Sequence, residues 1–183
     1  MPRDWDRHYS GAANLEPSPA PLLVEAADLL PPGRALDLAS GPGRNALYLA
    51  SLGWKVTAVD SSPVAIGILR RRAVGLAVDA RLADLEAGEF QIPPESYDLI
   101  CDFFYLQRGL FPPIREGVRL GGVFAGAIHL VDDTPGLRPR NPAWLLQPGE
   151  LRAEFAAWKI LYYSEGAEPG RTRRVARILA RRA

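Results

Sequence analysis

The stretch that decides the fold of this 183-residue chain is LDLASGPGRNALYLASLGWKVTAVDSSPVAI, residues 36–66. It begins with an apolar run, which Gly41 and Gly43 interrupt just before a helical period starts. A second β-rich run follows at 55–59 and ends at Asp60. A strand, a glycine turn, a helix and a second strand in this order predict a βαβ unit. In such a unit the helix N-terminus and the bare glycine backbone face a ligand.

The same alternation continues through most of the chain. Helical periods and caps predict helices at 19–30, 45–52, 62–75, 112–119 and 148–157. Apolar, β-rich runs predict strands at 34–39, 55–59, 78–83, 97–104 and 123–130. Strands that alternate with helices indicate an α/β fold, in which helices cover both faces of a parallel sheet.

Two further runs, at 159–164 and 173–180, break this alternation. The turn-like residues between them are too few for a parallel crossover, which needs about 10–12 residues. An antiparallel hairpin is therefore expected. The last run also fits one face of a helix, through Val175, Ile178 and Leu179, and this alternative stays open.

Composition excludes several classes of function. The net charge of +1 is far from the strongly basic balance of a nucleic-acid-binding domain. No apolar run reaches the roughly 20 residues that cross a membrane, and the first residues do not resemble a signal peptide. Cys101 is the single cysteine and there are two histidines, so neither an internal disulfide nor a metal site is expected. We expect one cytoplasmic domain, 1–183, monomeric or weakly dimeric, that acts on a small molecule.

Two acids beside the glycine turn indicate which ligand it holds. Asp60 follows Gly43 by 17 residues, close to the spacing of an acid that binds ribose hydroxyls. If that is its role, replacing it weakens ligand binding and leaves stability unchanged. The alternative is a turn or capping aspartate. Asp37, inside the first strand, would repel a pyrophosphate but suits a ligand that carries a sulfonium and an ammonium. Asp37 also fits a cap on the backbone N–H groups of the loop.

Arg44 adds a third indication. A cation in the first turn of a helix opposes the helix dipole, and a ligand carboxylate would remove that conflict. A solvated arginine is the alternative. S-adenosylmethionine carries both cations and a carboxylate, and it has no phosphate. An NAD-dependent oxidoreductase remains the rival enzyme, because Gly41, Gly43 and Ala46 also satisfy the loose dinucleotide pattern.

Residues 36–66 resemble class I S-adenosylmethionine-dependent methyltransferases. Residues 43–66 are similar to the tellurite-resistance methyltransferase branch, as are WDRHYSG (5–11), LQRGLFPPIREGVRLGGVF (106–124) and NPAWLLQPGELRAEFAAWKILYYSEG (141–166). The resemblance implies a Rossmann-like three-layer sandwich, with a mostly parallel seven-stranded sheet and an antiparallel C-terminal strand. It implies S-adenosylmethionine as cofactor and a small-molecule methyl acceptor. A non-catalytic module that binds S-adenosylmethionine is the non-enzymatic alternative.

The resemblance also assigns roles to individual residues, beside Asp37 and Arg44. Segment 1–18 is implied to cover the cofactor. The other implied contacts are Ala39, Ser40, Gly41 and Gly43 at the methionine end, Asp60 and Ser61 at the ribose and adenine, Asp84 and Leu85 around the adenine, Asp102 and Phe103 near the sulfur, and Tyr9 above the cofactor. For Tyr9 and Asp102 the alternatives are a packing aromatic and a strand-end solvent contact.

The acceptor side is less determined by the sequence. His129, near the end of the fifth strand, is the candidate catalytic base, needed only if the acceptor arrives protonated. A strand-end histidine with local hydrogen bonds is the alternative. The acceptor is expected to be a chalcogen oxyanion or an organic thiol or amine. The aromatic residues expected either at the cavity mouth or in the core are Phe103, Phe104, Tyr105 and Phe111.

The loop 131–147 is rich in proline and poor in regular structure, which predicts a lid over the acceptor. Trp144, with the adjacent leucines 145 and 146, is expected to dock it, while Arg138 and Arg140 would attract an anionic acceptor. The alternative is a loop that only covers the sheet edge.

Overall fold

The computed structural model describes residues 5–11, 18–132, 141–167 and 173–183. These form one seven-stranded sheet with helices on both faces. The strands are β1 (Arg34–Leu38), β2 (Lys55–Asp60), β3 (Val78–Leu82), β4 (Tyr97–Phe103), β5 (Val118–His129), β6 (Lys159–Ala167) and β7 (Arg174–Arg181). The helices are α1 (Trp5–Tyr9), α2 (Pro21–Ala27), α3 (Arg44–Ser51), α4 (Pro63–Arg72), α5 (Phe111–Gly117) and α6 (Glu150–Glu154). In these ranges no helix is both long and apolar enough to span a membrane.

The strand order is β3-β2-β1-β4-β5-β7-β6. β1 pairs in parallel with β2, from Arg34 opposite Lys55 to Leu38 opposite Val59, so the βαβ prediction is confirmed. β7 is antiparallel to both of its neighbours, β5 and β6. The α/β fold with an antiparallel C-terminal strand is therefore confirmed.

The helical alternative for the last segment is wrong. Ala176, Ile178 and Ala180 face one core, whereas Leu179 faces the other. This alternation with a period of two belongs to a strand buried on both faces.

The two faces of the sheet carry separate cores. Under α5 and α6, Phe124 stacks on Phe155 with ring centroids 4.5 Å apart. Phe111 meets Phe155 edge to face and is fully buried in this core, so it is not an aromatic of the cavity mouth. Under α2, α3 and α4, the second core contains Trp54 and Leu69.

Several predicted boundaries differ from the structure, and the start of β5 differs by the most residues. β5 begins at Val118 rather than at 123, because the pair Gly121-Gly122 does not form a turn between α5 and the strand. Gly121 has a positive φ of 78°, and the pairing with β4 shifts register in this region, so the extra residues form an irregularity within the strand. α6 is shorter than 148–157, and β6 extends three residues beyond 164 to Ala167.

The glycine turn after β1 has a left-handed backbone. Ala39, Gly41 and Gly43 all have positive φ. Gly43 is the N-cap of α3, and a Cβ added there would lie 2.2 Å from Leu69 Cδ1 of α4. Gly43 is therefore required both by the turn and by the close approach of the two helices.

We expect Gly43→Ala to lower the free energy of unfolding more than Gly75→Ala. Both glycines have nearly the same positive φ, +85° and +83°, which costs an alanine about 1–2 kcal/mol. Only Gly43 adds an overlap with a buried side chain, worth about 1–3 kcal/mol more, because nothing lies within 4 Å of a Cβ at Gly75. Urea unfolding of both variants measures the difference. Equal losses would contradict the packing role.

Candidate functional site

A cavity of about 860 Å³ opens at the carboxyl ends of β1 to β5. From the loop after β3 to the end of β5 it crosses four strand spacings, or about 19 Å. All of the sequence-predicted site residues but two line it, namely Tyr9, Asp37, Ala39, Ser40, Gly41, Arg44, Asp60, Ser61, Asp84, Leu85, Phe103 and His129. The parallel topology thus brings together residues that lie far apart in the sequence.

Gly43 and Asp102 are the two that do not line the cavity, and their implied contacts with the cofactor stay predictions. Gly43 faces Leu69 instead. The pleat of β4 turns Asp102 away from the side that carries Phe103. Asp102 is buried, and burial raises the pKa of its carboxyl well above the usual value. Among the described residues, none donates a hydrogen bond to its Oδ1.

Asp37 is a buried carboxyl in the wall of the cavity, only 1% exposed. Its Oδ1 accepts a hydrogen bond from Cys101 Sγ at 3.4 Å, while its Oδ2 has no partner among the described residues. Ser40 Oγ, in the same part of the cavity, has none either. Burial raises the pKa of Asp37 to about 7, against the opposing effects of Cys101 and Arg44. A buried carboxylate oxygen without a partner favours a cation or a proton at this position.

Asp60 connects the loops that follow β1 and β2. Its Oδ2 accepts from the Gly41 N–H at 2.7 Å, and its Oδ1 accepts from the Ser62 N–H at 2.8 Å. Burial raises the pKa of Asp60. The turn-aspartate alternative is thus what the structure shows. Each carboxylate oxygen has a second lone pair, so the residue can also accept a hydrogen bond from a ligand hydroxyl.

The short helix α1 lies over the glycine turn. Ser62, whose Oγ caps α4 by accepting from the Ala65 N–H at 3.1 Å, also donates to Asp6 Oδ1. A Cβ on Gly41 would lie 2.8 Å from the hydroxyl oxygen of Tyr9, so this glycine makes room for the tyrosine. Trp5 and His8 also line the cavity, although sequence reasoning missed them. Their spacing with Tyr9 in WDRHY was the available signal.

At the β3 end, side chains hold the loops in place. Asp84 Oδ1 accepts from the Glu86 N–H at 2.8 Å and the Ala87 N–H at 3.3 Å. Gln107 Nε2 donates to the Leu85 carbonyl at 3.1 Å, and Tyr105 donates to Gln107 Oε1 at 2.8 Å. These bonds couple the loop after β4 to the loop after β3.

Phe104 lines the cavity beside β4 and β5. The Arg44 guanidinium carbon lies 5.9 Å from the centre of its ring, and the His129 ring centre lies 5.2 Å away. Its φ is +69°, an unfavourable conformation for a bulky residue. The Phe104 N–H donates to the Ala127 carbonyl at 2.7 Å, which fixes the backbone beside β5. Such strain is typical of functional sites.

Part of the expected lid is anchored, but not by Trp144. That side chain is 44% exposed and lines the cavity mouth. Leu145 and Leu146 are buried instead. The Leu146 N–H donates to the His129 carbonyl, and the Val131 N–H donates to the Leu146 carbonyl, both at 2.9 Å. Residues 133–140, including the two arginines 138 and 140, lie outside the described residues.

The family model described as "Tellurite resistance protein TehB" matches residues 6–174. This chain belongs to the TehB family. The probable S-adenosyl-L-methionine-dependent methyltransferase TehB of Haemophilus influenzae is 32% identical over 153 residues, which cover 78% of this chain and 52% of that protein. The chain therefore spans about half the length of this relative.

Solved structures show the same fold. The crystal structure of TehB from Haemophilus influenzae matches with a TM-score of 0.75 and 28% identity, over 88% of this chain and 61% of that chain. A second solved structure matches with a TM-score of 0.69 and 25% identity. It is described as "Conversion of a Disulfide Bond into a Thioacetal Group during Echinomycin Biosynthesis". That match covers 97% of this chain and 91% of the other.

We expect Asp60→Ala to destabilise the protein even without ligand, contrary to the expectation from sequence. It leaves two buried N–H groups, of Gly41 and Ser62, without their acceptor, and each costs about 1–3 kcal/mol. Asp84→Ala is the control, because the N–H groups that it releases belong to an exposed turn. Urea unfolding without ligand should show a clear loss for Asp60→Ala and a small one for Asp84→Ala. Unchanged stability of Asp60→Ala would contradict the bridging role.

Proposed function

We propose that this chain transfers a methyl group from S-adenosylmethionine to a small-molecule acceptor in the cavity above β1 to β5. The observation that carries the proposal is Asp37, a buried carboxyl with an unpaired oxygen beside the glycine turn. A pyrophosphate at this turn would be repelled by Asp37, whereas the ammonium and sulfonium of S-adenosylmethionine would be attracted. Membership of the TehB family supports the same cofactor.

The cavity residues suggest where each part of the cofactor binds. In this proposal Asp60 and Ser61 hold the ribose and adenine, and Asp84 and Leu85 frame the adenine. The backbone of 39–41 receives the methionine end, together with Ser40 Oγ. Asp37 binds the ammonium, Arg44 binds the carboxylate, and Phe103 lies near the sulfur. Tyr9 covers the cofactor, as does the rest of segment 1–18 in this proposal.

The bound cofactor would supply an electrophilic methyl group, so the protein contributes mainly orientation and exclusion of water. Holding nucleophile and methyl carbon in line is worth roughly 7–11 kcal/mol. Phe104 and His129 form the wall on the far side of Arg44, where an acceptor would meet the methyl group. His129 would act as a general base only for an acceptor that arrives protonated.

For the acceptor we propose a chalcogen oxyanion first. The matching family is described by tellurite resistance, and the Arg173 guanidinium, which lines the cavity, would attract an anion. An organic thiol or amine is the second candidate. The solved structure connected with a thioacetal group in echinomycin biosynthesis favours a sulfur acceptor. Phe104, Tyr105 and Trp144 line the cavity and offer aromatic surface to an organic molecule.

The remaining proposals concern the whole chain. We propose that it acts as one methyltransferase domain in the cytoplasm, as a monomer or weak homodimer, and that the loop 131–147 is a lid over the acceptor pocket. The buried thiol of Cys101 suits a reducing compartment.

Calorimetry with S-adenosylmethionine, its demethylated product and NAD tests the proposal. We expect both sulfur compounds to bind more tightly than NAD. Release of the demethylated product with tellurite, selenite or a small organic thiol then tests turnover. Tighter binding of NAD would favour the oxidoreductase, and binding without turnover on any acceptor would favour the non-catalytic module.

We also expect cofactor binding to release a proton at pH 6. The pKa of Asp37 is about 7 without ligand, so the carboxyl is mostly protonated at pH 6. A bound cation favours the carboxylate form of Asp37 and lowers this pKa, so at pH 6 about one proton per site leaves Asp37 on binding. The affinity for S-adenosylmethionine therefore rises from pH 6 to pH 8. Calorimetry at pH 6 in two buffers of different ionisation enthalpy counts the protons. Asp37→Asn should bind more weakly at pH 8 and release none. Proton release that persists in Asp37→Asn would exclude Asp37 as its source.

A further inference from the structure

Arg108 joins the loop after β4 to the segment that follows β5. Its Nε and Nη2 donate to the two carboxylate oxygens of Glu150 at 2.5 and 3.0 Å. Nη1 also donates to the Ala143 carbonyl at 3.2 Å, and Nη2 donates to the Leu145 carbonyl at 2.9 Å. The guanidinium therefore holds the backbone on both sides of Trp144.

Other bonds complete this arrangement, which we call the Arg108 clamp (Arg108, Glu150 and the carbonyls of 143 and 145). Glu150 Oε2 accepts from the Gln147 N–H at 2.7 Å. Asn141 Oδ1 accepts from the Ala143 N–H at 3.1 Å. Asn141 and Trp144 line the cavity, and the Leu146 N–H donates to His129. The clamp thus fixes the wall of the cavity next to His129, at the end away from Asp60.

An exposed ion pair alone would not support a functional role. The Arg108 side chain is 45% exposed and that of Glu150 is 20% exposed, so their attraction contributes little to stability. The informative contacts are the two carbonyls, because a planar guanidinium that donates to several fixed acceptors at once sets geometry rather than only charge.

We propose that Arg108 is a positioning residue for the acceptor: through the carbonyls of Ala143 and Leu145 it holds Trp144 at the cavity mouth, so that the acceptor lies in line with the methyl group. The inference rests on the proposed function. Arg108 itself does not line the cavity. Gln107, and not Arg108, donates to the Leu85 carbonyl on the adenine side, so removing the Arg108 side chain leaves that hydrogen bond in place.

The chain offers a matched control in Arg115. Its Nη1 lies 2.6 Å from Glu154 Oε2 and also donates to the Glu154 carbonyl at 3.0 Å. The exposures of the pair, 31% and 35%, are similar to those of the clamp. It joins α5 to α6, and neither residue lines the cavity. Arg115→Ala therefore removes a comparable ion pair without reaching the acceptor wall.

The experiment compares Arg108→Ala, Arg108→Lys and Arg115→Ala in the full chain. Amide hydrogen exchange over 141–147 should become faster in Arg108→Ala and remain unchanged in Arg115→Ala. With tellurite or a small organic thiol, KM for the acceptor should rise roughly 10- to 100-fold in Arg108→Ala. The Kd of S-adenosylmethionine should stay within about twofold, because the cofactor contacts are untouched. Arg108→Lys keeps the charge and loses the planar fork, so it should recover only part of the KM.

Two results would overturn the proposal. One is unchanged exchange over 141–147 in Arg108→Ala. The other is an equal rise in KM in Arg115→Ala, which would indicate a general loss of stability. If Arg108→Ala does not fold, Arg108→Lys is compared with Arg115→Ala in the same way. Faster exchange over 141–147 and a higher KM are then expected in Arg108→Lys, both by smaller factors. If the wild-type protein shows no turnover with any acceptor, the proposed function is refuted. The role of Arg108 in holding 141–147 is still tested, because the exchange measurement needs no acceptor.

Discussion

Gly41 and Ser62 donate their backbone N–H groups to one buried carboxylate, that of Asp60, and the cavity depends on this interaction. It fixes the glycine turn after β1 against the loop after β2. Ser62 then caps α4 and binds Asp6 of α1. The glycine turn, the first turn of α4 and the helix above the cavity are therefore connected through a single side chain.

Three acidic side chains in or beside the cavity wall are buried away from water, namely Asp37, Asp60 and Asp102. Burial raises the pKa of Asp37, Asp60 and Asp102. The charge of Asp60 raises the pKa of Asp37 further, and the charge of Asp37 raises the pKa of Asp102 further. For Asp37 the folded state binds a proton more strongly than the unfolded chain does. Its contribution to stability is thus complete below about pH 4 and is lost as the pH rises toward 7. A cation bound beside it would offset this loss near neutral pH.

Much of this arrangement was predictable from sequence, because it depends on local patterns. The glycines, Asp37 and Asp60 stand at strand ends, and parallel strands bring their carboxyl ends to one edge of the sheet. The hairpin followed from the short connection between β6 and β7. Neighbouring residues of a strand face opposite sides, but which of Asp102 and Phe103 faces the cavity was not predictable, because a one-residue change in strand register reverses the side that each faces.

Hydrogen-bond partners that are distant in the chain could not be predicted from the sequence either. Arg108 and Glu150 are 42 residues apart, and only the structure shows that the arginine holds a loop rather than facing an acceptor. Trp144 suggested an anchor because large aromatic residues are usually buried, yet Leu145 and Leu146 have that role. The Gly121-Gly122 pair suggested a turn, and tertiary pairing placed it inside β5 instead.

The position of β7 has a consequence for how the chain folds. It is the last strand in sequence, yet it lies inside the sheet, between β5 and β6. Until β7 is synthesised, β5 has an unpaired edge, and β6 has no neighbour through which to join the sheet. A nascent chain therefore exposes the unpaired backbone N–H and C=O groups of β5, at 123–129, to other chains. The pairing of β7 with both β5 and β6 is thus what joins β6 to the rest of the sheet.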